Sequence, residues 1–207
     1  MQRTLILLAT LTLWMATGCH WNRTPQPGEY RTMATDPRRD TEAARRYNSE
    51  AVALIEKGQI ELAEKKLKAA LAADLFLGPA HNNLGTVYYR QKKYYLAAWE
   101  YEYSAKLMPK RPEPRNNLGM VFEAVGRTEE AAVAYEKALA LDPGSVEVAA
   151  NLARVYVRQN RKDDRTYELL SEVALKDTRP SWASWARQQL ALMARPQRPA
   201  TDPAAGR

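Results

Sequence analysis

The sequence predicts an all-α solenoid of about four stacked helix pairs, ended by a C-terminal capping helix. The first observation is a repeat with a period of 34 residues, marked by Leu84-Gly85, Leu118-Gly119 and Leu152-Ala153. The second is the composition of the 207 residues, 45% hydrophobic and 27% charged, which excludes wholesale disorder, collagen and polytopic membrane proteins. The third is a single cysteine beside two histidines, which excludes an internal disulfide and leaves too few ligands for a Cys/His zinc site.

Each repeat unit is predicted to contain two antiparallel helices, A and B, that cross where a small residue leaves room for the partner helix. Gly119 and Ala131 are those small residues in the third unit, and Gly85 and Ala97 take the same places in the second. Pro143 ends a helix B because proline has no N–H group and crowds the preceding turn. Large side chains are expected to fill the space around the crossings: Leu84, Tyr88, Tyr101, Leu118, Phe122 and Tyr135.

The best copy of the repeat, residues 112–145, closely resembles the tetratricopeptide repeat, with Leu-Gly, an aromatic residue, Ala before a second aromatic residue, and Pro in that order. The resemblance implies a right-handed superhelix whose A helices line a concave groove. The units then cover residues 44–77, 78–111, 112–145 and 146–179, and the capping helix covers 180–194. In the fourth unit Arg165 stands where helix B needs a small residue, so we expect a shifted or bent helix there.

Residues 1–18 are typical of a signal peptide, because an uncharged run too short to span a membrane follows Arg3. The run closes with small residues before Cys19, which resembles the lipobox of bacterial lipoproteins. The resemblance implies cleavage before Cys19, acyl chains such as palmitate on the new terminus, and attachment to a membrane. The alternative is an ordinary signal peptide whose cysteine has no special role.

Two further segments are predicted to lie outside the fold. Residues 19–41 carry the lipid site and a flexible tether, and residues 195–207 form a disordered tail, because proline interrupts both. His20 rather than Asp follows the cysteine, which favours the outer membrane, facing the periplasm, if the organism has two membranes. Most of the net charge of +7 comes from these ends, so the body is only mildly basic and nucleic acid is not an expected partner.

The sequence contains none of the short motifs that usually accompany catalysis. There is no Gly-rich phosphate loop and no nucleophile elbow. His81 falls at a repeat position that is usually a bulky core residue, which favours a structural histidine over a general base. We therefore expect no enzymatic activity, no cofactor and no bound metal.

The predicted groove suggests a peptide-binding site. Asn83, Asn117 and Asn151 recur at one position of three A helices, and a row of amides can hold the backbone of an extended peptide. The alternative is that each amide bonds to its own turn. Glu113 and Asn117 occupy places where some family members carry a Lys-rich clamp for a C-terminal carboxylate, so that clamp is absent. The expected groove residues are Asn82, Asn83, Thr86, Tyr89, Arg90, Asn116, Asn117, Met120, Asn151, Arg154 and Arg158.

A second surface is predicted on the convex side. Tyr95, Trp99 and Tyr103 follow one another at four-residue spacing on the second B helix, away from its buried stripe. Exposed aromatic residues mark a contact surface, unless the tether or the tail folds back over them.

Two functions from different classes follow from these patterns. The first is a non-catalytic, membrane-anchored scaffold that binds an extended segment of a protein partner in its groove. It would assist assembly of an envelope complex such as a pilus or secretion pore. The second is an accessory subunit or remnant of a glycan-processing enzyme, in which the exposed aromatics stack on a saccharide.

Overall fold

The computed structural model describes residues 39–194, which form nine α-helices. These are α1 (Thr41–Glu56), α2 (Ile60–Ala73), α3 (Gly78–Arg90), α4 (Tyr94–Leu107), α5 (Glu113–Ala124), α6 (Thr128–Leu141), α7 (Val146–Arg158), α8 (Asp164–Lys176) and α9 (Pro180–Met193). The first eight pack as consecutive A and B pairs, and α9 packs on α8. The all-α repeat fold expected from the sequence is confirmed.

The turn from helix A to helix B contains one recurring backbone feature in every unit. One residue of each turn adopts the left-handed conformation: Gly58 (φ 72°), Lys92 (φ 60°), Gly126 (φ 78°) and Asn160 (φ 56°). These four residues keep the spacing of 34, so the repeat is visible in the backbone as well as in the sequence. Glycine and asparagine tolerate this conformation, whereas in lysine the Cβ atom is crowded against the backbone and the conformation is less favourable.

The fourth unit departs from the period. Five residues, 159–163, join α7 to α8, whereas three join the helices of the other pairs. Thr166, Leu170 and Val173 are buried with the spacing that Ala131, Tyr135 and Ala138 show in α6. The buried face of α8 therefore lies one residue later than a strict period predicts, and Arg165 is exposed.

Asp163 fixes the start of the shifted helix. Its carboxylate accepts hydrogen bonds from the backbone N–H and the hydroxyl of Thr166, at 2.9 and 2.7 Å. These bonds, together with two from the guanidinium of Arg161, lower the pKa of Asp163 to about 2. The cap fixes the register in which Thr166, the small buried residue of this unit, lies on the buried face of α8.

Glycine is required where the two helices of the middle units cross. A Cβ atom on Gly85 would lie 2.7 Å from the ring of Tyr101, and one on Gly119 would lie 2.6 Å from the ring of Tyr135. Both tyrosines are buried in helix B of the same unit. The sequence predicts that the glycine faces the small residue of helix B. The structure shows instead that the glycine makes room for the aromatic ring of helix B.

The stack is curved. Successive A helices contact one another along its length, whereas successive B helices make no comparable contacts. The A helices therefore form the inner face and the B helices the outer face.

The last helix covers the end of the stack. Ala183 and Ala186 of α9 are buried, and Trp182 and Trp185 pack partly against the core of the last two units. Such a cover is needed because a terminal repeat otherwise exposes its apolar side. None of the helices between residues 39 and 194 has the length and apolarity needed to cross a membrane.

Candidate partner-binding surfaces

Three pairs of asparagine amides join neighbouring A helices on the inner face. In each pair an Nδ2–H group donates to an Oδ1 atom 35 residues earlier: Asn83 to Asn48 (2.9 Å), Asn117 to Asn82 (3.0 Å) and Asn151 to Asn116 (3.0 Å). A separation of 35 is one repeat plus one residue, which is the offset between facing positions of adjacent A helices. The amides therefore hold the units in register.

This pairing differs from both alternatives considered for the asparagine row. The amides do not bond to their own turns, and they are not all free for a ligand. Each one uses a hydrogen-bond donor or acceptor on an asparagine of a neighbouring unit. Asn116 and Asn151 are each only 7% exposed, so little of either side chain is open to a peptide. Asn82, Asn83 and Asn117 are half-buried and keep further donors and acceptors on the inner face.

A carboxylate on the inner face gathers two arginines. Glu123 accepts a bidentate pair of hydrogen bonds from Nε and Nη2 of Arg154, both at 2.7 Å, and one from Nη1 of Arg158 at 3.0 Å. The hydroxyl of Tyr135 donates to the same carboxylate at 3.2 Å. The cluster links helix A of the third unit to helix A of the fourth and to the buried tyrosine beneath Gly119.

The ionisation of this carboxylate reflects two opposing effects. Burial raises the pKa of Glu123, but the hydrogen bonds and charge of Arg154 outweigh burial, so the pKa lies below its ordinary value. The same contact raises the pKa of Arg154. Glu123 is therefore ionised at neutral pH and compensates part of the positive charge of the two arginines.

The cluster lines an open concavity of about 270 Å³ on the inner face. Its lining residues come from three successive A helices: Tyr89, Met120, Glu123, Ala124, Arg154 and Arg158. Four of them were expected from the sequence, and the structure brings those four together. Glu123 was missed, although its separation of 35 from Arg158 equals that of the asparagine pairs.

Two other expected groove residues are engaged within the protein. Nη1 of Arg90 donates to the backbone carbonyl of Ile55 at 2.9 Å, again across 35 residues. The hydroxyl of Thr86 donates to the carbonyl of Asn82 and accepts from the hydroxyl of Tyr101. Both side chains thus support the inner face.

A second concavity, of about 240 Å³, continues the surface toward the cap. It is lined by Arg154, Ser181, Trp182 and Trp185. The guanidinium of Arg154 lies 4.8 Å from the ring centre of Trp182, a cation–π contact. Arg154 therefore takes part in both concavities, and the cap helix extends the candidate groove beyond the four units.

The outer face carries two of the three expected aromatic residues. Tyr95 is 89% exposed and Trp99 is 70% exposed. Tyr103 does not belong to this surface, because it packs edge-on against the ring of His81, 4.6 Å away. Eight residues along a helix rotate a side chain by about 80°, which turns Tyr103 from the outer surface toward His81 of α3.

His81 is a structural residue. Its Nδ1 lies 2.6 Å from a carboxylate oxygen of Glu100, and its Nε2 lies 2.9 Å from the backbone carbonyl of Leu75. The ring is buried and connects α3 to α4 and to the loop that precedes α3.

Among residues 39–194, no three His, Cys, Asp or Glu side chains come together as a metal site. Cys19, and with it the predicted lipid site, lies outside the described residues.

Two family models, both described as tetratricopeptide repeat, match residues 40–112 and 123–184. Together these segments cover most of the described helices. The chain is a tetratricopeptide-repeat protein. The resemblance seen in residues 112–145 therefore extends over all four units of this repeat protein. No curated protein sequence matches it significantly.

Solved structures of other repeat proteins share the fold. A tetratricopeptide repeat protein from Parabacteroides merdae is 21% identical, with a TM-score of 0.62 over 73% of this chain and 60% of its own. The first such domain of Spaghetti (RPAP3), bound to an HSP90 peptide, is 20% identical, with a TM-score of 0.58 over 60% of this chain and 99% of its own. The Yersinia enterocolitica type III secretion chaperone SycD, in complex with a peptide of the translocator YopD, is 20% identical, with a TM-score of 0.54 over 58% of this chain and 97% of its own.

The buried amide pair of this repeat protein should contribute to stability. We expect Asn151→Ala to lower the free energy of unfolding by about 1–2 kcal/mol, because the buried Asn116 oxygen loses its donor. Asn83→Ala should cost less, since Asn48 can bond to water instead. Urea unfolding of the two variants measures the difference, and equal losses would contradict the role of burial.

Proposed function

We propose that this protein is a non-catalytic scaffold that holds an extended segment of a partner protein on its inner face. The observation that carries the proposal is the concavity lined by Tyr89, Met120, Glu123 and Arg158 across three A helices. It combines an aromatic ring and a flexible thioether with an arginine whose side chain is 51% exposed. Such a surface can bury an apolar side chain and hydrogen-bond the backbone or a carboxylate beside it.

The solved structures support a peptide as the ligand class. The RPAP3 domain is described with a bound HSP90 peptide, and SycD with a YopD peptide. This chain shares their fold at low sequence identity, so the likeness supports the mode of binding and leaves the partner open. The half-buried amides of Asn82, Asn83 and Asn117 lie along the same inner face and would contact an extended backbone.

Membrane anchoring through Cys19 completes the proposal. Lipid attachment would hold the repeat domain at a bacterial membrane by a tether that starts at Cys19 and ends before α1, with the outer membrane and a periplasmic orientation favoured where two membranes exist. A scaffold in that position would assist assembly of an envelope complex such as a pilus or a secretion pore. The small residues before Cys19 and the adjacent His20 support this part of the proposal.

Replacement of the lipid-bearing residue tests the anchor. Cys19→Ser should leave an unprocessed or soluble precursor and abolish partition into the detergent phase of a temperature-induced phase separation, because no thioether can form. Immunoblots of the two phases measure the effect. A variant that partitions as the parent does would overturn the lipid assignment and leave the inner-face proposal standing.

Partner capture followed by titration tests the inner-face site. Processed protein in detergent is used to capture partners from the envelope, which are identified by mass spectrometry and titrated as purified segments. Met120→Ala combined with Arg158→Ala should weaken the segment about tenfold to a hundredfold. Lys65→Ala, on the exposed side of α2, is the control and should leave affinity unchanged.

A variant of the outer face separates the two surfaces. If Trp99→Ala weakens the same segment while the Met120 and Arg158 variant binds normally, the site lies on the outer face and the inner-face proposal fails. Trp99 projects into solvent, so its truncation should leave folding intact.

Saccharide binding is the second candidate, favoured by the exposure of Tyr95 and Trp99 on the outer face. Two rings separated by one helical turn could stack on adjacent sugars of a glycan. Titration with soluble peptidoglycan fragments tests it, and it requires that Trp99→Ala abolish the binding. An accessory role beside a glycan-processing enzyme would follow only from that result.

A further inference from the structure

The outer face contains an apolar furrow that the proposed inner-face function does not use. It lies between α4 and α6, with Leu118 and Phe122 of α5 at its floor and Val133 on its wall, and its volume is about 360 Å³. Val133 is 53% exposed, so the furrow is open to solvent. Lining residues Glu130 to Lys137 extend about 10 Å along α6, which is the length of three residues of extended peptide.

Charged residues are distributed unevenly around this furrow. Lys106 lies in the last turn of α4, Lys137 in the second half of α6, and Arg115 in the first turn of α5, which runs in the opposite direction. These three cations therefore share one half of the furrow, where Glu102 is the facing carboxylate. In the other half Glu130 is paired with Arg127.

Within residues 39–194, Lys106, Arg115 and Lys137 form no ion pair, and Arg115 donates only to the backbone carbonyl of Arg111, at 3.3 Å. An apolar floor beside this excess of positive charge complements a ligand with apolar side chains followed by carboxylates.

We propose that the furrow between α4 and α6 docks a second polypeptide segment, in which two or three apolar residues are followed by acidic residues. The apolar side chains would lie on Leu118 and Phe122, and the carboxylates would meet Lys106, Arg115 and Lys137. This site is separate from the inner face, so one scaffold would hold two segments on opposite sides of the stack.

Two synthetic peptides test the charge preference directly. Both are fluorescein-labelled and glycine-flanked; one contains Leu-Phe-Leu-Glu-Glu and the other Leu-Phe-Leu-Lys-Lys. Fluorescence anisotropy with the processed chain should show the acidic peptide binding about tenfold tighter, with the difference reduced at high salt. Equal affinities would overturn the proposal.

Charge reversal provides a readout that general damage to the fold cannot imitate. Lys106→Glu with Lys137→Glu should invert the preference, so that the basic peptide binds more tightly. Lys65→Glu with Lys162→Glu changes the net charge equally at exposed sites away from the furrow and should keep the original preference. The same response in both double variants would show that only net charge matters and would overturn the site.

The apolar contact has its own matched pair of variants. Val133→Asp places a charge on the furrow wall and should abolish binding of both peptides. Val125→Asp, at an exposed position after α5 and outside the furrow, should not. Met120→Ala with Arg158→Ala should leave peptide binding unchanged, which separates a failure of the furrow site from a failure of the inner-face site.

A membrane is the other surface that these cations could meet. Binding of phosphatidylglycerol vesicles through Lys106 and Lys137, with neither peptide bound, would assign the surface to a membrane and overturn the peptide proposal.

Discussion

Gly119→Leu should lower the free energy of unfolding by about 3 kcal/mol or more, which corresponds to a fall of about 6–12 °C in Tm. A Cβ atom at Gly119 would lie 2.6 Å from Cε1 and 2.7 Å from Cδ1 of Tyr135, closer than real Cβ contacts. The ring cannot move aside easily, because it is fully buried and its hydroxyl is bonded to Glu123. Calorimetry or urea unfolding measures the loss.

Two control variants separate the steric effect from general effects of substitution. Gly144→Ala removes a glycine whose added Cβ would meet only Asp142, at an ordinary 3.7 Å, and Glu129→Gln changes an exposed charge. Both should lie within about 0.5 kcal/mol of the parent. Combining Gly119→Ala with Tyr135→Leu should cost less than the sum of the single changes, because the smaller side chain relieves the clash. A Gly119→Leu protein as stable as the controls would contradict the packing seen at this crossing.

The sequence predicts the fold well because the repeat constrains many positions at once. Gly119 and Tyr135 recur in kind as Gly85 and Tyr101, so one period reveals the crossing, the turn and the buried stripe together. The register of α8 could not be read in this way. Its shift depends on five connecting residues and on the cap made by Asp163, neither of which has a counterpart at the start of the B helices α2, α4 and α6.

The candidate site is less accessible to sequence reasoning, because it depends on contacts between units rather than within them. A period of 34 identifies equivalent residues, whereas facing residues on adjacent A helices are 35 apart, as in the pair Asn83 and Asn48. The period therefore identifies the recurring asparagines, but it does not reveal that each one bonds to an asparagine of the neighbouring unit. Glu123 was missed for the same reason, since its arginine partners lie in the next unit.

The carboxylate of the inner face should carry the second large effect on stability. Glu123→Gln should lower the free energy of unfolding at pH 7 by about 1–3 kcal/mol. The Glu123 side chain is only 10% exposed, and its loss of charge would leave Arg154 without its bidentate partner. The matched control is Glu113→Gln, which breaks an exposed bidentate pair with Arg111 and should cost less than about 1 kcal/mol.

The pH dependence of the same variant identifies the charge as the cause. The folded pKa of Glu123 lies below its unfolded value of 4.5, so its contribution is fully present above that pH and is lost as the pH falls through the folded pKa. The stability difference between the parent and Glu123→Gln should therefore shrink in acid, measured by urea unfolding between neutral pH and pH values below 4.5. Arg154→Met in the Glu123→Gln background should recover part of the loss, because it removes the unpaired charge and keeps an apolar side chain against Trp182. A difference that stays constant with pH would show that Glu123 stabilises the inner face by packing rather than by its ion pair.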